Sequence, residues 1–130
     1  MYMRRPAQTS EPRGQLPLTP VEFHILLSLS DDARHGYAIL QDVEQRTDGQ
    51  IKLRTGTLYT VIKRMLDGEW LEEQDGPPGD GDARRRYYRL TPLGRDVLRA
   101  EAKRLQSLVV MAQDKRVLGP ARKLAPERSR

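Results

Sequence analysis

Gly76 to Ala83 reads GPPGDGDA, a run so dense in Gly, Pro and Asp that no regular element passes through it. Leu71 to Asp75 (LEEQD) before it has the length of a short strand. Arg84 to Leu90 (RRRYYRL) after it reads as the returning strand, with Tyr88 and Leu90 on one face and Tyr87 and Arg89 on the other. The middle of the chain is therefore a hairpin, and the helices must lie before and after it. The 130 residues are 37% hydrophobic and only 5% aromatic, which fits one domain with a small core, completed by a second subunit.

Two helices are expected first. Thr19 is an N-cap, Pro20 takes the first helical position and Glu22 completes a capping box. Phe23, Ile25, Leu26, Leu27 and Leu29 then make a helix apolar nearly all round, ending near Ser30 and central to the core. Residues 31–34 form a polar connection. A second helix begins at His35-Gly36-Tyr37, buries Ile39, Leu40 and Val43, and ends at Gly49 as a left-handed C-cap. His35 suits a capping or packing role rather than catalysis: the other histidine, His24, lies in the first helix, and no nucleophile motif or carboxylate cluster accompanies either. Gln50 to Leu53 alternates like a short strand.

The stretch LRTGTLYTVIKRMLDGEWL, Leu53 to Leu71, carries the functional signal. Leu58, Ile62, Met65 and Leu66 share one helical face. Thr57, Tyr59, Thr60, Lys63 and Arg64 fall elsewhere, with no carboxylate before Asp67. Hydroxyls and cations opposite a buried face suit the DNA major groove, where phosphates attract cations and base edges present acceptors. Thr55 is the expected N-cap, followed by Gly56 and Thr57, small enough for a phosphate to approach the first-turn N–H groups. The competing reading is an ordinary solvated cationic face. The hairpin favours DNA, because Arg84, Arg85 and Arg86 at the root of the turn match phosphate oxygens. An edge hairpin protected by charge is the alternative.

Thr91-Pro92 repeats the cap-plus-proline start, and a long helix is expected over 92–118. Leu98, Ala102, Leu105, Val109 and Ala112 step along a coiled-coil-like seam, widened by Leu93, Val97 and Leu108. These eight form the expected dimer interface, since so small a domain does not cover so long a helix; a monomeric lid is the alternative. Trp70, Leu98 and Leu105 are the candidate effector pocket, against the plainer reading of Trp70 as core. Residues 1–15 read as a flexible arm, with Arg4, Arg5 and Arg13 in reach of a minor groove, and 119–130 as a flexible basic tail.

Charge agrees with a polyanionic partner: 23 Lys and Arg against 18 Asp and Glu give +5 and a pI near 9.8. The N-terminus lacks a signal-like apolar run and no stretch is long enough to span a bilayer, so a cytoplasmic protein without membrane contact is expected. There are no cysteines, and no metal or cofactor is expected.

Three motifs in order, His35-Gly-Tyr-Ala-Ile39, Gly56-Thr-Leu-Tyr59 and Arg86-Tyr-Tyr-Arg-Leu-Thr91 with Gly94, resemble the PadR family of bacterial transcriptional regulators, over about 16–118. The single terminal helix is similar to that family's short branch. The resemblance implies a homodimeric repressor on a palindromic operator, released by a small molecule or a partner. It also implies that Gly56, Thr57 and Tyr59 meet DNA, that Tyr37 touches a phosphate, that Lys63 and Arg64 lie along the backbone or groove, and that the wing arginines grip flanking phosphates. The chain departs from the family at Arg54-Thr55, where Ser-Pro is frequent, at Thr60, where proline is frequent, and at Glu69, where the family places the glycine that ends the helix.

The expected architecture is mainly α with a small β part (α+β): a winged helix-turn-helix over 16–91 and a dimerisation helix over 92–118. The expected DNA-binding residues are Tyr37, Arg54, Thr55, Gly56, Thr57, Tyr59, Thr60, Lys63, Arg64, Arg84, Arg85 and Arg86. An adaptor that keeps the winged fold but binds a partner chain is the alternative function, and DNA binding discriminates the two. An enzyme is not expected, since no catalytic constellation exists.

Overall fold

The computed structural model describes residues 15–79 and 85–120. Four helices and three strands follow the order α1 (Pro20–Ser28), β1 (Arg34–His35), α2 (Gly36–Arg46), α3 (Thr55–Asp67), β2 (Leu71–Asp75), β3 (Arg86–Leu90) and α4 (Pro92–Asp114). The sheet is antiparallel with order β1-β3-β2. Leu71 lies opposite Leu90 and Asp75 opposite Arg86, so the hairpin is in the register its two ends require. The result is a winged helix-turn-helix. The N-terminal arm, Arg84 and the end of the basic tail fall outside the described residues.

The core is one cluster. Ile25, Leu26 and Leu29 of the first helical segment meet Ile39 and Val43 from α2, Leu58, Ile62 and Met65 from α3, and Val97 from α4. The cap read from the sequence is present in full: the Thr19 hydroxyl accepts from the Glu22 N–H, and the Glu22 carboxylate accepts from the Thr19 N–H at 2.8 Å. Val61, absent from the expected apolar face of α3, is buried, whereas Leu66 is half-buried.

Several boundaries differ from expectation, each for a local reason. No strand forms over 50–53; Ile51 and Leu53 do pack on the core, but they have no partner strand. Alternation reports which side chains face inward, not which backbone is paired. The third strand is Arg34–His35, paired with Tyr87 and Tyr88 in the segment read as a connection. Helix α4 stops at Asp114, four residues early. Arg116 takes φ +63°, and the Val117 N–H donates to the Ala112 carbonyl at 2.9 Å. That is a Schellman closure, which satisfies terminal carbonyls and turns the chain aside. Asp48 (φ +52°), not Gly49 alone, turns the end of α2, and Glu69 (φ +66°) turns the end of α3. Each of these non-glycine residues stands where glycine is least strained.

Two contacts join α4 to the rest. Gly94 packs against the Trp70 backbone: a Cβ there would lie 2.0 Å from the Trp70 carbonyl oxygen. Glu101, only 2% exposed, accepts a two-pronged bond from Arg104 (2.6 and 2.8 Å) and one from the Leu18 N–H at 3.3 Å. The Arg104 guanidinium, helped by that N–H and opposed by burial, holds the Glu101 carboxyl below its ordinary pKa. The unfolded chain then binds the proton at a higher pH than the folded one, so the contribution is full above the ordinary carboxylate range and lost as pH falls through the lowered value.

Two predictions follow from these joints. Gly94→Ala should destabilise the fold by about 3 kcal/mol or more, because backbone rather than a side-chain tip blocks the added methyl; a urea titration measures it. Wild type should be more stable than Glu101→Gln near neutral pH, and the gap between their urea midpoints should shrink as pH falls from about 6 to about 3. A gap independent of pH would show that the carboxylate charge contributes nothing.

Candidate nucleic-acid interface

Helix α3 divides into an inner and an outer side. At 100° per residue, buried Leu58, Val61, Ile62 and Met65 mark the inner side. Gly56, Thr60 and Lys63 lie opposite, all exposed, with Tyr59 on one flank and Thr57 and Arg64 on the other. A Cβ added at Gly56 would meet nothing within 4 Å, so nothing in this chain's own packing requires glycine there. The Thr60 hydroxyl donates to the Gly56 carbonyl at 2.9 Å, which leaves its lone pairs and methyl outward.

The N-terminus of α3 differs from expectation. Arg54, not Thr55, is the N-cap residue, extended at φ −81° and ψ 151°, and no side chain caps the helix. Thr55 is the first helical residue and is exposed. Thr19, His35 and Thr91 do cap α1, α2 and α4.

The cations on this surface have carboxylate neighbours that the sequence alone does not reveal. Lys63 lies 3.3 Å from Asp67, one turn on. Arg64 reaches across to Glu22 of α1 at 3.1 Å. Arg86 bridges to Asp75 (2.9 Å) and Glu73 (3.5 Å), and Arg89 to Glu72 at 2.5 Å, all on β2. These pairs are exposed, and such pairs contribute on the order of 0–1 kcal/mol each, so a phosphate can replace the carboxylate at little cost.

The two leading sequence motifs meet in space. Tyr59 of α3 rests its hydroxyl over Gly36 at the start of α2, where a Cβ would come within 2.1 Å of the hydroxyl oxygen. Tyr37 beside it is 62% exposed. Tyr88, which lines the same cleft as these two, is buried; burial first, then the neighbouring Tyr59 and Glu73, raises its pKa. A cleft of about 450 Å³ opens between these tyrosines, His35 and Arg85. His35 caps α2 by accepting from the Ala38 N–H at 3.2 Å, and its ring stands edge-on to Tyr87 with centroids 5.3 Å apart. The sequence marks His35 as a capping or packing residue, and it does both here; its place in the lining of this cleft follows from β1.

The other expected residues divide between the core and the outer end of α4. Val97 (fully buried), Leu98 and Leu93 pack within this chain's own core. Ala102, Leu108 and Val109 are exposed, while Leu105 and Ala112 are half-buried. Val110 and Met111 extend the exposed apolar surface. Trp70 is core, with its carbonyl accepting from the Thr91 N–H at 3.0 Å. Among the described residues no group of three His, Asp or Glu side chains is placed to hold a metal ion, and no helix is long and apolar enough to cross a membrane.

Residues 25–100 match the family described as the transcriptional regulator PadR-like family. A transcriptional regulator of Mycobacterium tuberculosis is 35% identical over 89 residues, covering 68% of this chain and 78% of that protein. A protein of Lysinibacillus sphaericus is 36% identical over 74 residues, 57% of this chain and 67% of its own length. In fold, the chain is similar to a PadR family transcription regulator of Clostridium difficile, with TM-score 0.64, 23% identity, and 75% of this chain and 98% of that one covered. A PadR-like regulator of Bacillus cereus gives TM-score 0.62 at 21% identity, with 77% and 93% covered. The chain belongs to the PadR-like family of transcriptional regulators.

Proposed function

We propose that this regulator is a cytoplasmic homodimeric repressor that places α3 of each subunit in a major groove of an inverted-repeat operator and blocks a promoter. The observation that carries this reading is the outer side of α3. Gly56, Thr60 and Lys63 are exposed together, Tyr37 and Tyr59 stand to one side, and the hairpin carrying Arg85 and Arg86 lies next to the helix. Two such helices related by a two-fold axis read half-sites about one helical turn apart, roughly 34–36 Å.

Dimerisation rests on the outer half of α4. With Leu93, Val97 and Leu98 used by the subunit's own core, the partner's share is Ala102, Leu105, Leu108, Val109 and Ala112. Burying that apolar surface in a second copy removes it from water and fixes the spacing of the two reading helices. Release by a small molecule belongs to the same region. Trp70 and Leu98 are closed off in the core, so a ligand acts beside Leu105, between the subunits, where it shifts the angle between the two α3 helices.

Gly56 separates this reading from a solvated surface helix. A glycine in the first turn of a helix costs up to about 1 kcal/mol relative to alanine. Gly56→Ala should therefore raise stability while weakening binding to a duplex selected on the purified protein, because the methyl occupies the space the DNA backbone needs. Lys63→Ala should leave stability unchanged within about 0.5 kcal/mol and lower the salt dependence of binding by about one counterion. If both variants bind the duplex as wild type does across a salt series, α3 is not the reading helix. If wild type binds no selected duplex, the protein is not a DNA-binding repressor.

A further inference from the structure

Gly36 is the first residue of α2, directly after the His35 cap, and it is buried. Its backbone is not in the left-handed region that favours glycine; among the described glycines only Gly49 and Gly79 are. Glycine is also a weaker helix former than alanine. Neither conformation nor propensity therefore accounts for it. What the missing side chain supplies is space. A Cβ at Gly36 would lie 2.1 Å from the Tyr59 hydroxyl oxygen, 2.8 Å from Cζ and 3.3 Å from Cε1, and these three are the nearest atoms to it. Tyr59 thus occupies the volume that any other residue at this position would fill.

The contact joins the elements that a duplex has to meet together. Tyr59 lies in the second turn of α3, on the flank of the side carrying Gly56, Thr60 and Lys63. Gly36 is followed at once by Tyr37, and Arg34 and His35 before it pair with Tyr88 and Tyr87 of the hairpin. Gly36, Tyr59 and Tyr88 line one cleft with Arg85 and Arg86. The seat of Tyr59 on Gly36 therefore sets the spacing between α3 and the corner of β1 and α2, and with it the spacing to the hairpin. Close-packed contacts of this kind leave little room to adjust. Tyr59 is 43% exposed, so a group that filled the seat would drive the ring outward.

We propose that Tyr59 is a positioning residue: its ring, seated on Gly36, fixes α3 against the start of α2 so that the outer side of α3 and the hairpin cations meet one duplex at the same time, and its hydroxyl makes no contact with DNA. This replaces the direct DNA contact that the family resemblance implies for Tyr59. The inference rests on the DNA-binding reading and deepens it.

The test uses the full chain and a duplex recovered by selection on it. Tyr59→Phe keeps the ring, Tyr59→Leu removes the three atoms that a Cβ at Gly36 would meet, and Gly36→Ala fills the seat. In urea, Gly36→Ala should lower the unfolding midpoint when Tyr59 is present, and should leave it unchanged or raise it in the Tyr59→Leu background. Binding is then measured on the folded proteins across a salt series. Tyr59→Leu and Gly36→Ala should each weaken binding roughly tenfold and lower its salt dependence by about one counterion, although neither removes a charge. Tyr59→Phe should bind within about twofold of wild type. A residue that served stability alone would leave the affinity of the folded protein unchanged, and an uncharged residue that touched DNA itself would leave the salt dependence unchanged. Should Gly36→Ala fail to fold, its rescue by Tyr59→Leu tests the same contact. The positioning role is overturned, while DNA binding stands, if Gly36→Ala lowers the midpoint equally in both backgrounds, if Tyr59→Leu leaves either affinity or salt dependence as in wild type, or if Tyr59→Phe weakens binding as much as Tyr59→Leu. If wild type binds no selected duplex, the function reading falls and the positioning role with it.

Discussion

The Trp70 backbone is the joint on which the geometry of this protein depends. Its N–H closes α3 by donating to the Met65 carbonyl at 2.8 Å, and its carbonyl accepts from the Thr91 N–H at 3.0 Å. The Thr91 hydroxyl adds a bond to the Glu69 carbonyl at 2.5 Å and also caps α4. Gly94 allows α4 to lie directly on this joint. The end of α3 and the start of α4 are therefore connected through backbone hydrogen bonds, with no long side chain between them. The direction of α4 relative to the end of α3 is thus set by main-chain contacts at Trp70.

The interface electrostatics depend on exchange rather than on waiting charge. Lys63, Arg64, Arg86 and Arg89 each sit beside a carboxylate of the same chain. A net charge of +5 therefore overstates how much positive field this surface projects. Exposed pairs of this strength contribute little, so a phosphate could take the place of a carboxylate at small cost.

The sequence made the large elements legible because their signals are local. Thr19-Pro20 and Thr91-Pro92 mark helix starts through capping and fixed φ, and the Gly76 to Ala83 run isolates the hairpin whatever surrounds it. Three kinds of feature were hidden. The strand at Arg34–His35 is two residues long and exists only through pairing with β3, so no periodicity announces it. The end of α4 turns at Arg116, where residue type gives no left-handed signal, whereas α2 and α3 end where Gly49 and Gly68 mark them. The partners of the candidate site are distant in sequence: Glu22 for Arg64, Gly36 for Tyr59, Arg85 for His35 and Glu101 for Leu18. Residue type nominated the interface, but only the fold showed that α4 spends Leu93, Val97 and Leu98 on its own subunit.

The chain contains no cysteine, so one introduced thiol reports where α3 lies on a duplex. Thr60→Cys, carrying an iron chelate on the outer side of α3, is bound to the selected duplex and strand cleavage is mapped. Two clusters of cleavage are expected, one in the major groove of each half-site, about one helical turn apart. Cleavage no stronger than from the same chelate on Arg99→Cys, at an exposed position on α4, would contradict that placement of α3.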